Sequence, residues 1–406
     1  MKRVERIRLY PTSHQKNALQ FMLDVTRQLY NALLQQRCDA FRLRGTSLRS
    51  KAQYAELTAL RRDDSRVAAV YRECEDAALR RLELAFAAFF RRVKQGERPG
   101  YPRFKPAARW HQLSFSHGNH ALRLDERQSR IRIPGVGLVK LRKGRSIPAF
   151  GRAWLVERLG RWYACLECER EASPLPKTGV TLGIDRGVHV LAACSDGRLI
   201  RNRAVGERRK AATARLQREL ESVTQRDAAG RVRNRRESQR IAAALRLARS
   251  REREANARRD FAHKTARAIV NAADVIGLER LHVRAMTRSA RGTVEAPGVN
   301  VRAKAGLNRV VLDAGFGLLD RLIAEKAEEA ARVVVRVAAR FSSQTCSRCG
   351  YVCARSRRRR RFCCVRCGLE AHADVNAALE IRRRAQLALL RLPDAGEEPA
   401  NQHNAA

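Results

Sequence analysis

The sequence is short of negative charge. Asp and Glu number 41 against 84 Lys and Arg, which gives the 406-residue chain a formal net charge of +43. Such an imbalance excludes an ordinary enzyme of small uncharged substrates. It points to a polyanion partner, because like charge at this density repels itself in a compact state. Aromatic residues are also scarce, at 5%. That argues against stacking on many bases as the main binding mode and favours recognition of backbone and shape. No run of about 18 apolar residues occurs, so no membrane span is expected. The N-terminus, M-K-R-V-E-R-I-R-L-Y, lacks the apolar region of a signal peptide. Without such a signal, the 11 cysteines point to metal binding in a reducing, cytoplasmic compartment rather than to disulfides.

What is abundant is arginine, whose planar fork donates to phosphate in pairs. A hydrophobic share of 44% and this length suffice for two or three domains with cores of their own. Arg3 to Leu9 alternates charged and apolar residues and predicts a strand. Thr12 or Ser13 then caps a helix to about Arg37, with Leu19, Met22, Leu23, Leu29, Tyr30 and Leu33 on one face. Further helices are expected over about 50–60 and 65–93. A breaker cluster at 95–106, Q-G-E-R-P-G-Y-P-R-F-K-P, marks a boundary. Short alternating runs at 112–115, 121–124, 130–133, 138–141, 153–158 and 162–169 suggest a small antiparallel barrel, which the first strand can join.

From Gly179 the pattern changes. Strands are expected at 179–185 and 188–194, with Asp196-Gly197 as a hairpin turn. Very basic helices follow over 207–272, broken near Ala229-Gly230, and their lopsided charge favours a nucleic-acid-facing surface. A strand at 275–278 ends in Glu279, one amphipathic helix spans 308–332, a strand covers 333–337, and a last helix runs over 371–383. The stretch from Pro393 onward is acidic and polar and is expected to be disordered.

Two C-x-x-C units, Cys346/Cys349 and Cys364/Cys367, each have Gly after the second Cys. That spacing lets a knuckle turn aim two sulfurs at one ion, and the Gly permits the positive backbone angle the turn needs. Two knuckles predict one closed, structural zinc site. Cys353 and Cys363 are expected to be bystanders. Cys165 and Cys168 also form a C-x-x-C, but a strand would set their sulfurs on opposite faces. Arg355 and Arg357, Arg358, Arg359, Arg360 and Arg361 lie in a loop between the knuckles, either a solvated surface or a phosphate clamp. The clamp is favoured, because zinc fixes both ends.

Three acids stand out by position. Asp185 ends the strand T-L-G-I-D, Glu279 ends V-I-G-L-E, and Asp374 opens a helix in A-D-V-N-A-A. Each alone is an ordinary cap or turn residue. In this order of elements they match the RNase H-like fold, where such acids meet at one point and would hold two Mg²⁺ ions about 3.5–4 Å apart.

These residues resemble the TnpB family, transposon-encoded RNA-guided nucleases related to compact type V CRISPR effectors. The resemblance rests on R-L-Y-P-T at 8–12, P-R-F-K at 102–105, G-I-D-R-G at 183–187, F-A-H-K at 261–264, G-L-E-R-L at 277–281, S-S-Q-T-C-S-R-C-G at 342–350 and A-D-V-N-A-A at 373–378. It implies an α+β multidomain chain: a first wedge strand at 1–10, a helical recognition module at 11–95 and a wedge β-barrel at 96–177. It further implies a RuvC-like nuclease domain at 178–341 and 371–391, interrupted by a zinc-binding target-nucleic-acid-binding domain at 342–370, with a tail at 392–406. The implied activity is guided cleavage of double-stranded DNA beside a short adjacent motif. Asp185, Glu279 and Asp374 would be the metal triad, and the guide an RNA from the transposon end, in a prokaryotic, nucleoid-associated setting. Ala373 departs from the Arg many members carry, but Asp374 and Asn376 match. A compact CRISPR effector with a repeat-derived guide, a nuclease-silent guided repressor, and a transposase acting in its own right are the alternatives. Intact acids count against the repressor.

Overall fold

The alternating N-terminus forms strand β1 (Lys2–Tyr10), and the chain turns at Pro11 into helix α1 (Ser13–Arg44). Thr12 is the cap. Its Oγ1 accepts from the Gln15 N–H at 3.3 Å while Gln15 Oε1 accepts from the Thr12 N–H at 3.0 Å, a reciprocal pair that settles the helix start. The helix runs on past Arg37, since nothing there opposes it, and stops where Gly45 takes the left-handed conformation. This computed structural model describes residues 2–125, 127, 129–142, 146–224, 226–227, 237–293 and 295–390. They form two units, Met1–Arg170 and Glu171–Ala406.

In the first unit α1 is followed by α2 (Ser50–Asp63), α3 (Ser65–Ala68) and α4 (Arg72–Lys94). The single helix expected over 65–93 is therefore broken. The Arg61 guanidinium donates to the carbonyl oxygens of Val67, Ala68 and Val70, taking acceptors a continuous helix would use itself. The buried stripe of α1 (Leu19, Leu23, Tyr30, Leu34) and Ala78, Leu79 and Leu82 of α4 belong to one core. Trp110 joins it, its Nε1 donating to Thr26 Oγ1 at 3.0 Å.

The short alternating runs become β2 (Gln112–Phe115), β3 (Arg123–Asp125), β4 (Arg130–Ile133), β5 (Gly137–Leu141), β6 (Phe150–Arg158) and β7 (Arg161–Glu169). A helical turn, α5 (Gly118–Ala121), takes the start of the run expected at 121–124. With β1 they form one antiparallel sheet in the order β2-β6-β7-β1-β5-β4-β3. The first strand thus lies inside the sheet, as its alternation allows. The sheet does not close into the expected barrel: β2 and β3 stand at its two edges and are not paired with each other among the described residues.

The second unit is built on β8 (Thr181–Asp185), β9 (Val190–Cys194), β10 (Leu199–Arg201), β11 (Val275–Glu279) and β12 (Val333–Val337). Their order is β10-β9-β8-β11-β12. β8, β11 and β12 run parallel, and β9 is antiparallel to β8 and β10. Continuous apolar burial in β9 and β11 is what a sheet covered on both faces requires. Helices α6 (Val205–Ser222) and α7 (Glu237–Ala272) lie between β10 and β11 in sequence. The break expected near Ala229-Gly230 falls outside the described residues, as does the tail from Pro393. After α8 (Val283–Met286), the single helix expected at 308–332 is two, α9 (Val301–Ala314) and α10 (Phe316–Glu329). They part at Gly315, whose φ of +71° no continuing helix can hold. A small sheet of β13 (Arg357–Arg358), β14 (Arg361–Cys363) and β15 (Glu370–His372) then leads into α11 (Ala373–Leu390). No described helix is long and apolar enough to cross a membrane.

Candidate active site and metal centre

The strand register brings the first two acids together. β8 and β11 pair in parallel with Leu182 beside Ile276, Gly183 beside Gly277 and Ile184 beside Leu278. The next residue on each strand is Asp185 and Glu279, so both carboxylates emerge at the same end of the sheet. Side chains alternate along a strand. The acids therefore share a face with Gly183 and Gly277, each two residues earlier.

That face is covered by α11, and glycine is what lets the helix approach. A Cβ on Gly183 would lie 2.1 Å from the Ala378 carbonyl oxygen and 2.5 Å from the Arg382 nitrogen. One on Gly277 would lie 2.9 Å from Ala385 Cβ. Ala378, Arg382 and Ala385 recur at helical spacing, and Asp374 precedes Ala378 by four residues on the same side. The helix that seats itself on the two glycines thus carries Asp374 toward the strand ends where Asp185 and Glu279 sit.

The electrostatics record the meeting. Burial pushes the Asp185 carboxyl up to about 7, helped by the negative charges of Glu279 and Asp374, while Arg357 and the Arg186 N–H pull the other way. Burial likewise raises Glu279, against donation from the Ser342 hydroxyl to its Oε1 and the charges of Arg186, Arg384 and Arg357. Arg186 also donates to the Glu279 carbonyl oxygen and, at 3.2 Å, to Asp320, which holds the ends of the two strands. Asp374 accepts from Arg357 at 2.9 Å. The three carboxylates are more widely set than a single-ion cage: among the described residues, only the four zinc-type cysteines have ligand atoms all within 4.8 Å of one another.

Those cysteines are Cys346, Cys349, Cys364 and Cys367. Each knuckle closes with a backbone bond from the Gly N–H back to its first Cys, Gly350 to Cys346 at 2.9 Å and Gly368 to Cys364 at 3.0 Å. Both glycines have positive φ, +72° and +69°. The sulfurs of Cys346 and Cys367, and of Cys349 and Cys364, are 3.6 Å apart. A tetrahedron of thiolates about 2.3 Å from zinc has edges of about 3.8 Å, so the four fit a zinc-sized ion without rearrangement. Cys353 and the exposed Cys363 lie outside the group, and Cys165 and Cys168 stand on β7, Cys168 in the core of the first unit.

The arginine run is not the loop the sequence suggested. Arg357–Arg358 and Arg361–Cys363 are paired strands, and Arg359, with φ +53°, makes the turn between them. Arg357 is committed to Asp374 and Arg361 to Glu370, at 2.8 Å. Arg355, Arg358, Arg359 and Arg360 are exposed. The cysteine module is also latched to the start of α11. Buried Asn376 donates to the Thr345 carbonyl oxygen at 2.8 Å and accepts from the Ser347 N–H at 3.0 Å, and the Ala373 N–H donates to the Arg360 carbonyl oxygen at 2.8 Å. Sequence reasoning missed the contact of Ser342 with Glu279 and of Arg357 with Asp374, and named Asn376 only as a motif match, not as the tie between the cysteine module and α11. The signal for the two glycines was present, in the matching G-x-D and G-x-E spacing.

Three family models match the chain: a helix-turn-helix domain over residues 1–46, one described as "Probable transposase" over 163–290, and a Cas12f1-like TNB domain over 316–381. Residues 1–46 here hold a strand and one long helix. InsQ of Escherichia coli K12, named for an RNA-guided DNA endonuclease, is 34% identical over 307 residues, which span 75% of this chain and 72% of that protein. A protein of Streptomyces pristinaespiralis with the same functional name is 28% identical over 397 residues, covering 94% of this chain and 89% of the other. Among solved structures, the mini RNA-guided endonuclease CRISPR-Cas phi3 aligns over 95% of this chain and 92% of its own, at 8% identity and a TM-score of 0.48, too loose a likeness to argue from.

Proposed function

The chain belongs to the TnpB family of RNA-guided DNA endonucleases, and on that premise we propose that it carries out guided cleavage of double-stranded DNA at the site formed by Asp185, Glu279 and Asp374. The observation that carries this reading is the convergence of the three acids, two from register-matched strands and one from the helix seated on Gly183 and Gly277. The strand order, with one antiparallel strand beside three parallel ones, supports an RNase H-like, RuvC-type reading of the second unit. On that reading residues 178–341 and 371–391 are the nuclease parts and 342–370 the zinc-binding insertion. Residues 11–95 are the recognition module, and 1–10 with 96–177 the wedge, whose strands form an open sheet rather than a barrel.

Hard oxygen donors gathered at one end of a sheet, too widely set for a single ion, suit Mg²⁺. Asp185, Glu279 and Asp374 would hold the ions, which when bound activate water and stabilise the leaving 3′ oxygen. The protein's own part is positional. Ser342 orients Glu279, Arg186 fixes the strand ends, and Arg357 holds Asp374 from the zinc module. The guide carries sequence information by pairing, while a +43 chain holds the guide and the target by their backbones. The transposon end is the proposed source of the guide, and the exposed Arg355, Arg358, Arg359 and Arg360 are proposed backbone contacts.

The test is to purify the protein natively, sequence its bound RNA, and offer that complex, with Mg²⁺, a plasmid library of matching targets beside random flanks. Cleavage beside one flank class, lost in Asp185→Ala with guided binding retained, is the expected result. A discrete bound RNA with no cutting by the wild type would instead establish a guided repressor, and no discrete RNA would refute the guided reading.

A further inference from the structure

The outer face of the central strands in the first unit carries a cluster of like charge. β1 alternates Ile7 and Leu9 toward the core with Arg6, Arg8 and Tyr10 on the opposite face. The register sets Arg8 beside Tyr163 of β7, and the Arg142 N–H donates to the Arg8 carbonyl oxygen at 2.8 Å. Arg8, Tyr10, Arg142, Arg161 and Tyr163 line one cleft of about 380 Å³, with no carboxylate among them. The nearest acid on that face of β7, Glu167, is opposite Val4 and is engaged by Arg152 at 2.9 Å.

Arginines gathered on one face of a sheet without an acid among them repel one another. The tyrosines offset part of the cost. Arg6 lies 3.8 Å over the Tyr163 ring and Arg8 5.2 Å from it, within reach of its negative face. These contacts do not satisfy the guanidinium's donors: the buried Nη1 of Arg8 has no hydrogen-bond partner. A buried donor left unmade beside two further arginines is the arrangement of an anion seat.

We propose that this cleft binds a phosphodiester of a nucleic-acid strand, with Arg8, Arg142 and Arg161 converging on the phosphate. The half-exposed ring of Tyr10 offers a face on which a neighbouring base stacks. The proposal rests on the guided-nuclease reading only in taking the ligand to be nucleic acid.

The experiment uses the full chain, stripped of nucleic acid by high salt, and titrates it with a labelled single-stranded RNA of about 20 nucleotides and with DNA of the same sequence at several salt concentrations. Arg8→Gln and, separately, Arg161→Gln should each weaken binding about tenfold. Each should also lower the magnitude of the log–log salt slope by about 0.7, the value for one lost phosphate contact on a single strand. Loss confined to RNA assigns the seat to the guide, loss confined to DNA assigns it to the target, and loss on both assigns it to the shared backbone. The melting temperature of the stripped Arg8→Gln protein should hold or rise, since self-repulsion is relieved. A lowered melting temperature with an unchanged salt slope would make Arg8 a packing residue and overturn the proposal. Variants that bind like a binding-competent wild type sink the phosphate seat alone, whereas a wild type that binds neither strand sinks the guided reading.

Discussion

The closest physical constraint on the active site is a hydrogen atom. Replacing Gly183 with Ala places a Cβ 2.1 Å from the Ala378 carbonyl oxygen and 2.5 Å from the Arg382 nitrogen, where ordinary contact begins at 3.4 Å. Both obstacles are backbone of α11, so no side-chain rotation relieves them. The helix must withdraw by about 1 Å or tilt. A misplacement of about 1 Å in a catalytic constellation costs about 10²-fold in rate, and overpacking costs about 1–3 kcal/mol of stability. Asp374 rides on that helix. Gly183→Ala should therefore cut target DNA about a hundredfold more slowly or worse, with guided binding close to wild type. Gly277→Ala, where the Cβ meets Ala385 Cβ at 2.9 Å and the Ile381 carbonyl oxygen at 3.2 Å, also forces a shift that no rotation of Ala385 relieves, but a smaller one, and should be milder than Gly183→Ala. Single-turnover cleavage by guide-loaded complexes measures both rates, and a filter-binding titration with uncut target measures binding. Gly183→Ala cleaving as fast as wild type would refute the seating of α11 on the glycines.

The other expectations concern charge and zinc. Asp185 in the folded chain keeps a proton that the unfolded chain has released, so its contribution to stability falls as pH rises between 3.8 and about 7. A displacement of that size sets a ceiling of about 4 kcal/mol, of which solvent access leaves about half. In Mg²⁺-free buffer at pH 8, Asp185→Asn should melt several degrees above wild type, the gain shrinking toward pH 4; equal melting at pH 8 would contradict the burial argument. The chain should carry one zinc, and Cys364→Ser should lose it, weaken target engagement and lose cleavage. Metal analysis with a footprinting assay checks this, and wild-type footprints from zinc-free protein would refute it.

What the sequence made legible was whatever local chemistry determines. The helix cap at Thr12 or Ser13, which the structure assigns to Thr12, the strand alternation of Arg3–Leu9, the knuckle glycines and the acid at the end of each apolar strand are short-range signals, and each appears in the structure where it was read. What escaped was decided by partners far along the chain. At the break between α3 and α4 the Arg61 guanidinium, from the preceding helix, holds the carbonyl oxygens of Val67, Ala68 and Val70. Gly315 was one residue inside an otherwise periodic stretch, and periodicity does not register a single reversed backbone angle. The barrel failed because alternation fixes which face of a strand is buried, whereas closure depends on edge pairing, which leaves no mark in any one strand. Ser342 was legible as a residue but not as a ligand of Glu279, because the pairing crosses 63 positions.

The arginine run shows how composition and position can carry different meanings. Six arginines between two knuckles read as one surface of positive charge, yet β pairing of Arg357 with Phe362 turns the run into a hairpin and separates its members. Arg357 faces Asp374 while its neighbours remain in solvent. The same hairpin leads through β15, without a linker, into the helix that bears Asp374, and Asn376 ties that helix back to the first knuckle. The third carboxylate is therefore held from both sides by the cysteine module. On the proposed reading the cysteine module does two things, presenting its exposed arginines to nucleic acid and fixing, through Arg357 and Asn376, the helix start that carries Asp374.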